Sequence, residues 1–167
     1  MTHVSNNSGN NEWYSPPTFI ESARKVMGGI DTDPATSEIA NNRVNAWLYY
    51  TESTDGRNKP WIGKVWMNPP YAQPLIFDFC NGVTRRFANG EIECAIVLTN
   101  NGTDTKWFHV MMEHASAVCL VKGRIKFIAP DGTYGKTPLQ GQTITYFGND
   151  VGAFINEFSQ YGKCVKC

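Results

Sequence analysis

The tetrapeptide Asn68-Pro69-Pro70-Tyr71 contains the residue types needed to activate a weakly nucleophilic amine. An amine conjugated with a ring must become tetrahedral before it attacks an electrophile, and two acceptors fixed on its N–H groups favour that change. The Asn68 side-chain oxygen and the Pro69 backbone carbonyl are neighbouring acceptors, and Tyr71 offers a ring for stacking. Because Asn68 is neutral, we expect it to orient the amine and stabilise developing charge rather than act as a base.

The local sequence predicts that this tetrapeptide forms a stiff tip at the end of a strand. The apolar run Val65, Trp66 and Met67 is typical of a buried strand. Proline cannot donate to a sheet ladder, so the strand must end before Pro69. Each proline also drives its predecessor into an extended conformation. We therefore expect an exposed, rigid tip.

Other polar residues stand beside two further predicted strands. Asp31 and Asp33 lie in a short strand that Pro34 interrupts, and "LTNNGTDT" at 98–105 closes a continuous apolar run. In sheets of parallel strands, ligands bind beyond the carboxyl ends. These groups are therefore expected at one ligand-binding edge. The sequence has no GxGxxG motif and no P-loop for phosphates.

The elements that must position these residues alternate between helix and strand. Helices are predicted over 15–29, with Ser15 as N-cap, over 75–90, broken or weakened at Asn81–Gly82, over 103–115, starting near Thr103 or Asp104, and over 151–162. Strands are predicted over 30–36, 64–67, 94–101, 117–129 and 142–148, and 37–50 reads as a helical turn leading into a short strand. This pattern predicts an α/β fold with helices on both faces of a mostly parallel sheet. The last two strands are joined by a loop alone, so they should pair antiparallel.

Length and composition predict one globular domain. The chain has 167 residues, with 41% hydrophobic and 18% charged residues and a net charge of zero. We expect a polar tail at 1–11, a single domain at 12–162 without a separate recognition domain, and a second tail at 163–167. No apolar run is long enough to span a membrane, and no signal peptide is evident, so a cytosolic location is expected.

The five cysteines do not predict a disulfide framework or a metal site. Their number is odd and their spacing irregular. Cys164 and Cys167 have the C-x-x-C spacing of zinc ligands, but a structural zinc site needs four ligands and no second pair exists.

The tightest basic cluster is "VKGRIKF", with Lys122, Arg124 and Lys126. Such a run is usually a solvated strand face. It can also supply phosphate contacts, because a local patch is enough even in a chain of zero net charge.

Four segments together resemble a known enzyme family. "NPPY" is similar to motif IV of the amino methyltransferases that use S-adenosylmethionine. "EWYSPP" at 12–17 resembles the cofactor motif near the start of that family, "IDTDPAT" at 30–36 resembles its motif I, and "TDGRNKPW" at 54–61 lies where a cofactor-binding aspartate is expected. The chain from about 11 to 160, including "NNGTDTKWFH", "GRIKFIAPDG" and "PLQGQ", resembles the phage-encoded, Dam-like DNA N6-adenine methyltransferases.

The resemblance implies a trimmed class I methyltransferase fold, Rossmann-like, with about six strands. It also implies transfer of a methyl group from S-adenosylmethionine to adenine in double-stranded DNA, with the base flipped out of the helix. A monomer is assumed. The implied catalytic residues are Asn68, Pro69, Pro70 and Tyr71; those for the cofactor are Trp13, Tyr14, Ser15, Pro16, Asp31, Asp33, Pro34 and Asp55; those for the target base or DNA are Trp107, Phe108, Lys122, Arg124, Lys126 and Phe127.

The chain departs from the family pattern at two places. Ser15 stands where threonine is common, which keeps the hydroxyl. Only 21 residues separate Asp33 from Asp55, too few for the usual passage of strands and helices, and the acid for the cofactor ribose has no clear counterpart other than Glu52. Three alternatives stay open: an RNA adenine methyltransferase, a protein glutamine methyltransferase, which also uses Asn-Pro-Pro-Tyr, and an inactive nucleic-acid-binding module.

Overall fold

A computed structural model describes residues 13–167, so the predicted tail at 1–11 lies outside the described residues. The helices are α1 (Pro17–Met27), α2 (Glu38–Val44), α3 (Leu75–Ala88), α4 (Lys106–Met112) and α5 (Val151–Phe158). The strands are β1 (Thr32–Asp33), β2 (Leu48–Tyr49), β3 (Lys64–Met67), β4 (Cys94–Asn100), β5 (Ala117–Val121), β6 (Gln142–Phe147) and β7 (Gly162–Lys166). Within residues 13–167, no helix is long and apolar enough to cross a membrane.

The strands form a single sheet in the order β2-β1-β3-β4-β6-β5-β7. The first four of these are parallel, β6 runs antiparallel to both β4 and β5, and β7 runs antiparallel to β5. The predicted α/β class and the antiparallel pairing of the last two predicted strands, β5 and β6, are confirmed. The sheet has seven strands rather than about six, because the C-terminal segment expected as a tail from residue 163 forms β7 instead.

Helices cover the two faces of the sheet with separate apolar clusters. One face, the α1 face, packs Ile20 of α1 and Phe154 of α5 against sheet residues such as Trp66. The other, the α3 face, packs Val83 of α3 and Met111 of α4 against the sheet. β4 is buried on both faces, since Ile96 and Leu98 join the first cluster while Ala95 and Val97 join the second. This matches its continuous apolar sequence.

α3 is continuous, so of the two predicted outcomes at Asn81–Gly82, a broken or a weakened helix, the break is wrong. Gly82 is buried against the ring of Trp61 and the guanidinium of Arg86. Glycine costs about 1 kcal/mol relative to alanine in a helix interior. Here its missing side chain makes room for two large neighbours, and that packing offsets the cost.

Helix starts and one strand end also differ from the predictions. The N-cap of α4 is Thr105, whose hydroxyl accepts from the Phe108 N–H at 3.2 Å, rather than Thr103 or Asp104. β5 ends at Val121, because Gly123 adopts a positive φ of 76° that turns the chain. The remainder of the predicted strand contributes only two isolated bridges within residues 13–167, from Ile128 to Tyr14 and to Tyr134.

Candidate active site

The carboxyl edge of the sheet is the edge at which β1, β3, β4 and β5 end and at which β6 and β7 begin. The tip at 68–71 leaves this edge directly from β3. Asn68 is half-buried, and its Nδ2 donates to the Ser15 hydroxyl at 3.1 Å. Ser15 therefore does not cap α1, whose N-cap is Pro16. With its nitrogen bound to Ser15, the Asn68 amide keeps its oxygen available as an acceptor.

Asp33 and Asn68 lie on the same face of the sheet. Thr32 of β1 pairs with Val65 of β3, which belongs to the α3 face, so the following residue, Asp33, points to the α1 face. The same alternation along β3 sends Asn68 to the α1 face. Asp33 and Asn68 thus lie on neighbouring strands and are offset by two residues along the strand direction. Both are on the side of the sheet where α1 begins.

Asp33 is buried, with 2% of its surface exposed. Burial raises the pKa of its carboxyl from 3.8 to about 7, while hydrogen bonds from the Ala35 N–H, at 3.2 Å, and from Thr36 lower it. No cationic side chain from residues 13–167 is among these influences. A buried carboxyl of this kind fits a ligand that brings N–H donors or positive charge.

The rest of the tip is packed against the end of β4. Pro69 is buried and Pro70 half-buried. The Tyr71 side chain is 38% exposed overall. Burial of its phenol group raises the Tyr71 pKa above its ordinary value, and the nearby backbone of Asn100 acts in the opposite direction. The tip is therefore held through the hydrogen bond of Asn68, and Tyr71 lies beside the end of β4.

The N-terminal motif is tied to the segment that follows β5. The backbones of Tyr14 and Ile128 exchange two hydrogen bonds, of 2.8 and 2.9 Å. Tyr14 and Ser15 are buried, whereas Trp13 is 41% exposed. Trp13 packs on Gly135, where an added Cβ would clash with its ring. Ser15 is thus brought to Asn68 by a backbone bridge next to it.

Asp31 does not join the other candidate residues. It precedes β1, and its carboxylate accepts from the backbone N–H of Lys64 at 2.9 Å, at the start of β3. The expectation that Asp31 lies at the ligand-binding edge is wrong. Only Thr32 lies between the two aspartates, but the Asp31 carboxylate is bound at the start of β3 and therefore stabilises the opposite, amino edge.

Asp55 reaches the neighbourhood of motif I, but its carboxylate is already paired. It follows β2 and precedes Gly56, which lies so close to the Pro34 carbonyl that a Cβ there would clash. Both Asp55 oxygens bind the Arg57 guanidinium, at 2.9 and 2.7 Å, and this pairing lowers the Asp55 pKa to about 2. Arg57 also donates to Asp78 of α3 at 2.9 Å. The structure therefore assigns Asp55 a contact with Arg57, while the proposed cofactor contact of Asp55 stays untested.

Glu52 is exposed in the turn after β2, at the carboxyl edge. Its assignment to the cofactor ribose stays a prediction.

Trp107 and Phe108 are both buried, with 7% and 8% of their surfaces exposed. Adjacent side chains on a helix point in different directions, so one of the two would ordinarily face outward, but both are enclosed here. α4 is enclosed on two sides, by α3 and by the turn at Gly102, where a Cβ would clash with the Trp107 ring. Both rings belong to the core of the α3 face, which argues against a contact with a target base.

The basic cluster is exposed, but its members differ in their contacts. The Arg124 guanidinium donates to the carbonyl of Pro138 at 2.8 Å, which ties the start of the β5–β6 connection to its end. Lys122 and Lys126 are exposed and form no ion pair within residues 13–167. Phe127 is half-buried against the core of the α1 face. Its stacking on a flipped base stays a prediction.

Sequence reasoning missed Gln142, which organises the edge between β4 and β6. Gln142 is 1% exposed and donates to the Asn100 side chain at 3.3 Å and to the Gln140 carbonyl at 2.9 Å. Its oxygen accepts from the Ile125 N–H at 3.2 Å. The available signal was an amide residue that opens a strand-forming run directly after a turn.

Comparison with known proteins gives the family. Residues 2–144 match the sequence model of the family described as DNA N-6-adenine-methyltransferase (Dam). The chain belongs to this family. The match covers the tip, the motif I aspartate and the basic cluster, so the family expected from the motifs is confirmed.

Two curated Dam-family relatives come from bacteriophages. A DNA N-6-adenine-methyltransferase of Escherichia phage T1 is 26% identical over 151 residues, which are 86% of this chain and 60% of the relative. A DNA N-6-adenine-methyltransferase of Haemophilus phage HP1 is 24% identical over 132 residues, which are 77% of this chain and 73% of the relative. The chain thus spans about three fifths of the length of the phage T1 protein. No solved structure matches it.

Proposed function

We propose that this chain transfers a methyl group from S-adenosylmethionine to the N6 amino group of adenine in double-stranded DNA. The observation that carries the proposal is the hydrogen bond between Asn68 and Ser15, which joins the tip to the N-terminal motif beside Asp33. Membership of the Dam family favours DNA adenine over RNA adenine and over protein glutamine.

In this proposal, the cofactor site lies on the α1 face between Asp33 and the start of α1. Asp33 would accept N–H groups or face positive charge, which its burial without a cation favours. Tyr14, Ser15 and Pro16 would border the methionine end. S-adenosylmethionine, when bound, supplies an electrophilic methyl group on a positively charged sulfur.

The tip would then hold the base. The Asn68 side-chain oxygen and the Pro69 carbonyl would accept the two amino hydrogens, which would free the nitrogen lone pair from the ring for attack. Tyr71 stacks on the base. Asn68 does not take the departing proton, because an amide is a very weak base; that proton passes to solvent.

The β5–β6 connection is the candidate for DNA contact. Flipping a base costs a few kcal/mol, so the distorted duplex must be held by protein. We propose that the 129–141 loop reads the sequence and that Lys122, Arg124 and Lys126 bind phosphate. Arg124 fits a positioning role as well, because it binds the loop at Pro138. Deleting 131–137 should change the methylated sequence, and an unchanged site preference would exclude the loop as the reader.

The decisive experiment measures methyl transfer from labelled S-adenosylmethionine to unmethylated duplex DNA, followed by digestion to nucleosides and mass analysis. We expect N6-methyladenine from the wild type and none from Asn68→Ala. Asn89→Ala is the matched control, since Asn89 is exposed at the end of α3, towards the amino edge of the sheet. Equal activity of the Asn68→Ala variant would exclude the proposed tip chemistry.

The same assay separates the alternatives. Product on RNA or on a glutamine-containing protein, and none on DNA, would replace the proposed substrate. Binding of S-adenosylmethionine without product on any of these would leave the acceptor unidentified and reject the DNA proposal. A chain that neither binds the cofactor nor methylates would be an inactive module.

A further inference from the structure

β7 places a lysine at the carboxyl edge of the sheet. The sequence pattern does not associate this lysine with the basic cluster. Lys163 is the second residue of β7 and pairs with Leu120 near the end of β5. Lys122 follows β5 directly, and its N–H donates to the Tyr161 carbonyl at 2.8 Å. Both lysines are exposed. Folding therefore brings together two cations that are far apart in the chain.

Lys122 and Lys163 border a shallow surface cavity of about 550 Å³. Leu120 lies between them and is 46% exposed, and Ser159 and Gln160 add polar groups. None of the residues between 13 and 167 that line the cavity is acidic. Two cations around an exposed apolar side chain suit a sugar-phosphate backbone, which is anionic at its phosphates and apolar on part of its sugars.

The charges of these two lysines are not neutralised within residues 13–167. Neither forms an ion pair there. The acid of α5 closest in sequence to the cavity, Glu157, is occupied elsewhere. It pairs with Lys25 at 2.7 Å and accepts from Ser22 at 2.9 Å. The positive potential of the cavity is thus available to an external anion.

The position of the cavity matches the path of a duplex that enters the candidate active site. β7 is four strands from β3, from which the tip leaves, and β5 is three strands from it. Strands lie about 4.8 Å apart, so Lys163 is about 19 Å and Lys122 about 14 Å from the tip. These distances equal about four to six steps of a duplex at about 3.4 Å per step. A duplex centred on the tip and lying along the carboxyl edge therefore reaches Lys122 and Lys163.

We propose that Lys122 and Lys163 form a phosphate-binding site for the DNA backbone about four to six base pairs from the target adenine. This inference rests on the proposed function, because it needs a duplex at the tip. It extends the DNA-binding surface beyond the β5–β6 connection to the edge strand of the sheet.

The test measures binding of a labelled duplex of about 20 base pairs by fluorescence anisotropy over a series of salt concentrations. We expect Lys163→Gln to reduce the slope of log affinity against log salt by about 0.9, and Lys122→Gln with Lys163→Gln by about 1.8. Affinity at a fixed salt concentration near 100 mM should fall about 3- to 10-fold per lysine. Binding of S-adenosylmethionine should not change, because the candidate cofactor site lies four strands or more away.

Lys166→Gln is the matched control. Lys166 is exposed on the same strand, but it pairs with Ala117 at the amino edge. Its loss should leave the salt slope unchanged. An unchanged slope for Lys163→Gln, or an equal reduction for Lys166→Gln, would overturn the phosphate site.

The outcomes also separate this inference from the proposed function. A wild type that methylates duplex DNA while Lys163→Gln keeps the full salt slope would sink the lysine site alone. A wild type that binds and methylates no duplex would sink both proposals.

Discussion

At the scale of the residue, the contact between Asn68 and Ser15 decides how the tip can act. The amide nitrogen is bound to the hydroxyl at 3.1 Å, so the amide cannot rotate freely and its oxygen is presented away from Ser15. An acceptor that is already in position does not have to reorient in the transition state, and for this reason a fixed dipole increases the rate of the reaction.

Ser15→Ala should therefore slow methyl transfer. One neutral hydrogen bond is worth about 1 kcal/mol, so we expect kcat to fall about 5- to 10-fold. Single-turnover kinetics with saturating DNA and cofactor measures this directly. Ser15→Thr keeps the hydroxyl and should retain most of the rate. Equal losses in both variants would show that the effect comes from packing rather than from the hydrogen bond.

Asp33 links the candidate site to stability. Its pKa is about 7 in the folded protein and near 3.8 in the unfolded chain, because folding buries the carboxyl. A raised pKa means that the folded state binds the proton more tightly, so this group lowers the stability progressively as the pH rises from about 4 to 7. The rise in the Asp33 pKa corresponds to a loss of at most about 4 kcal/mol in the free energy of unfolding at neutral pH.

Asp33→Asn should therefore stabilise the protein at pH 8 and have little effect at pH 4. We expect a gain of about 2–4 kcal/mol in the free energy of unfolding at pH 8, measured by urea denaturation. The same variant should bind S-adenosylmethionine more weakly. Asp131→Asn, at an exposed carboxylate of the loop, is the control. A difference between wild type and Asp33→Asn that does not grow with pH would contradict the burial argument.

At the scale of the element, one buried arginine joins α3 to the loop that precedes β3. Arg86 is 4% exposed and donates to the carbonyls of Gly82, Arg57 and Lys59, at 3.2, 3.0 and 2.8 Å. Its guanidinium lies over the Trp61 ring, 4.1 Å from the centroid. This contact fixes the segment that follows Asp55 against α3.

Arg86→Met should destabilise the fold by about 2–4 kcal/mol. The change removes a cation–π contact and leaves three carbonyls without their donor in a buried place. Urea denaturation of the variant is compared with that of Arg85→Met, since Arg85 is the exposed neighbour on the same helix. We expect the control to lie within about 0.5 kcal/mol of the wild type. Similar effects in both variants would mean that Arg86 contributes only as a surface charge.

The elements also show what the sequence could predict. The end of β3 at Met67 and the tip after it follow from proline, which acts through its own backbone and needs no tertiary information. The burial of both Trp107 and Phe108 does not follow from the local sequence, because it depends on the way α3 and the turn at Gly102 enclose α4. The position of Asp31 was misjudged for a related reason: β1 has only two residues, so a shift of two positions moves a side chain to the opposite edge.

At the scale of the whole molecule, the sheet unites residues that the chain keeps apart. Ser15 and Asn68 meet across 53 positions, and Lys163 arrives beside Lys122 through β7. The carboxyl edge therefore runs from Asp33 at β1, past the tip, to the lysines at β7. A duplex lying along this edge would place its target base and its phosphates on one continuous surface.

The same strand supports the last prediction, which concerns the C-terminus. β7 pairs with β5 over five residues, from Gly162 to Lys166, and the Cys167 N–H donates to the Ser116 carbonyl at 3.0 Å. Cross-strand pairs contribute about 0.2–1 kcal/mol each. Removing 162–167 should therefore lower the free energy of unfolding by about 2–5 kcal/mol, measured by urea denaturation. The double variant Lys163→Gln/Lys166→Gln retains the strand and should unfold at the same urea concentration as the wild type. If the truncated chain did so as well, residues 162–167 would contribute no stability and would behave as the tail that their polar, lysine-rich sequence suggests.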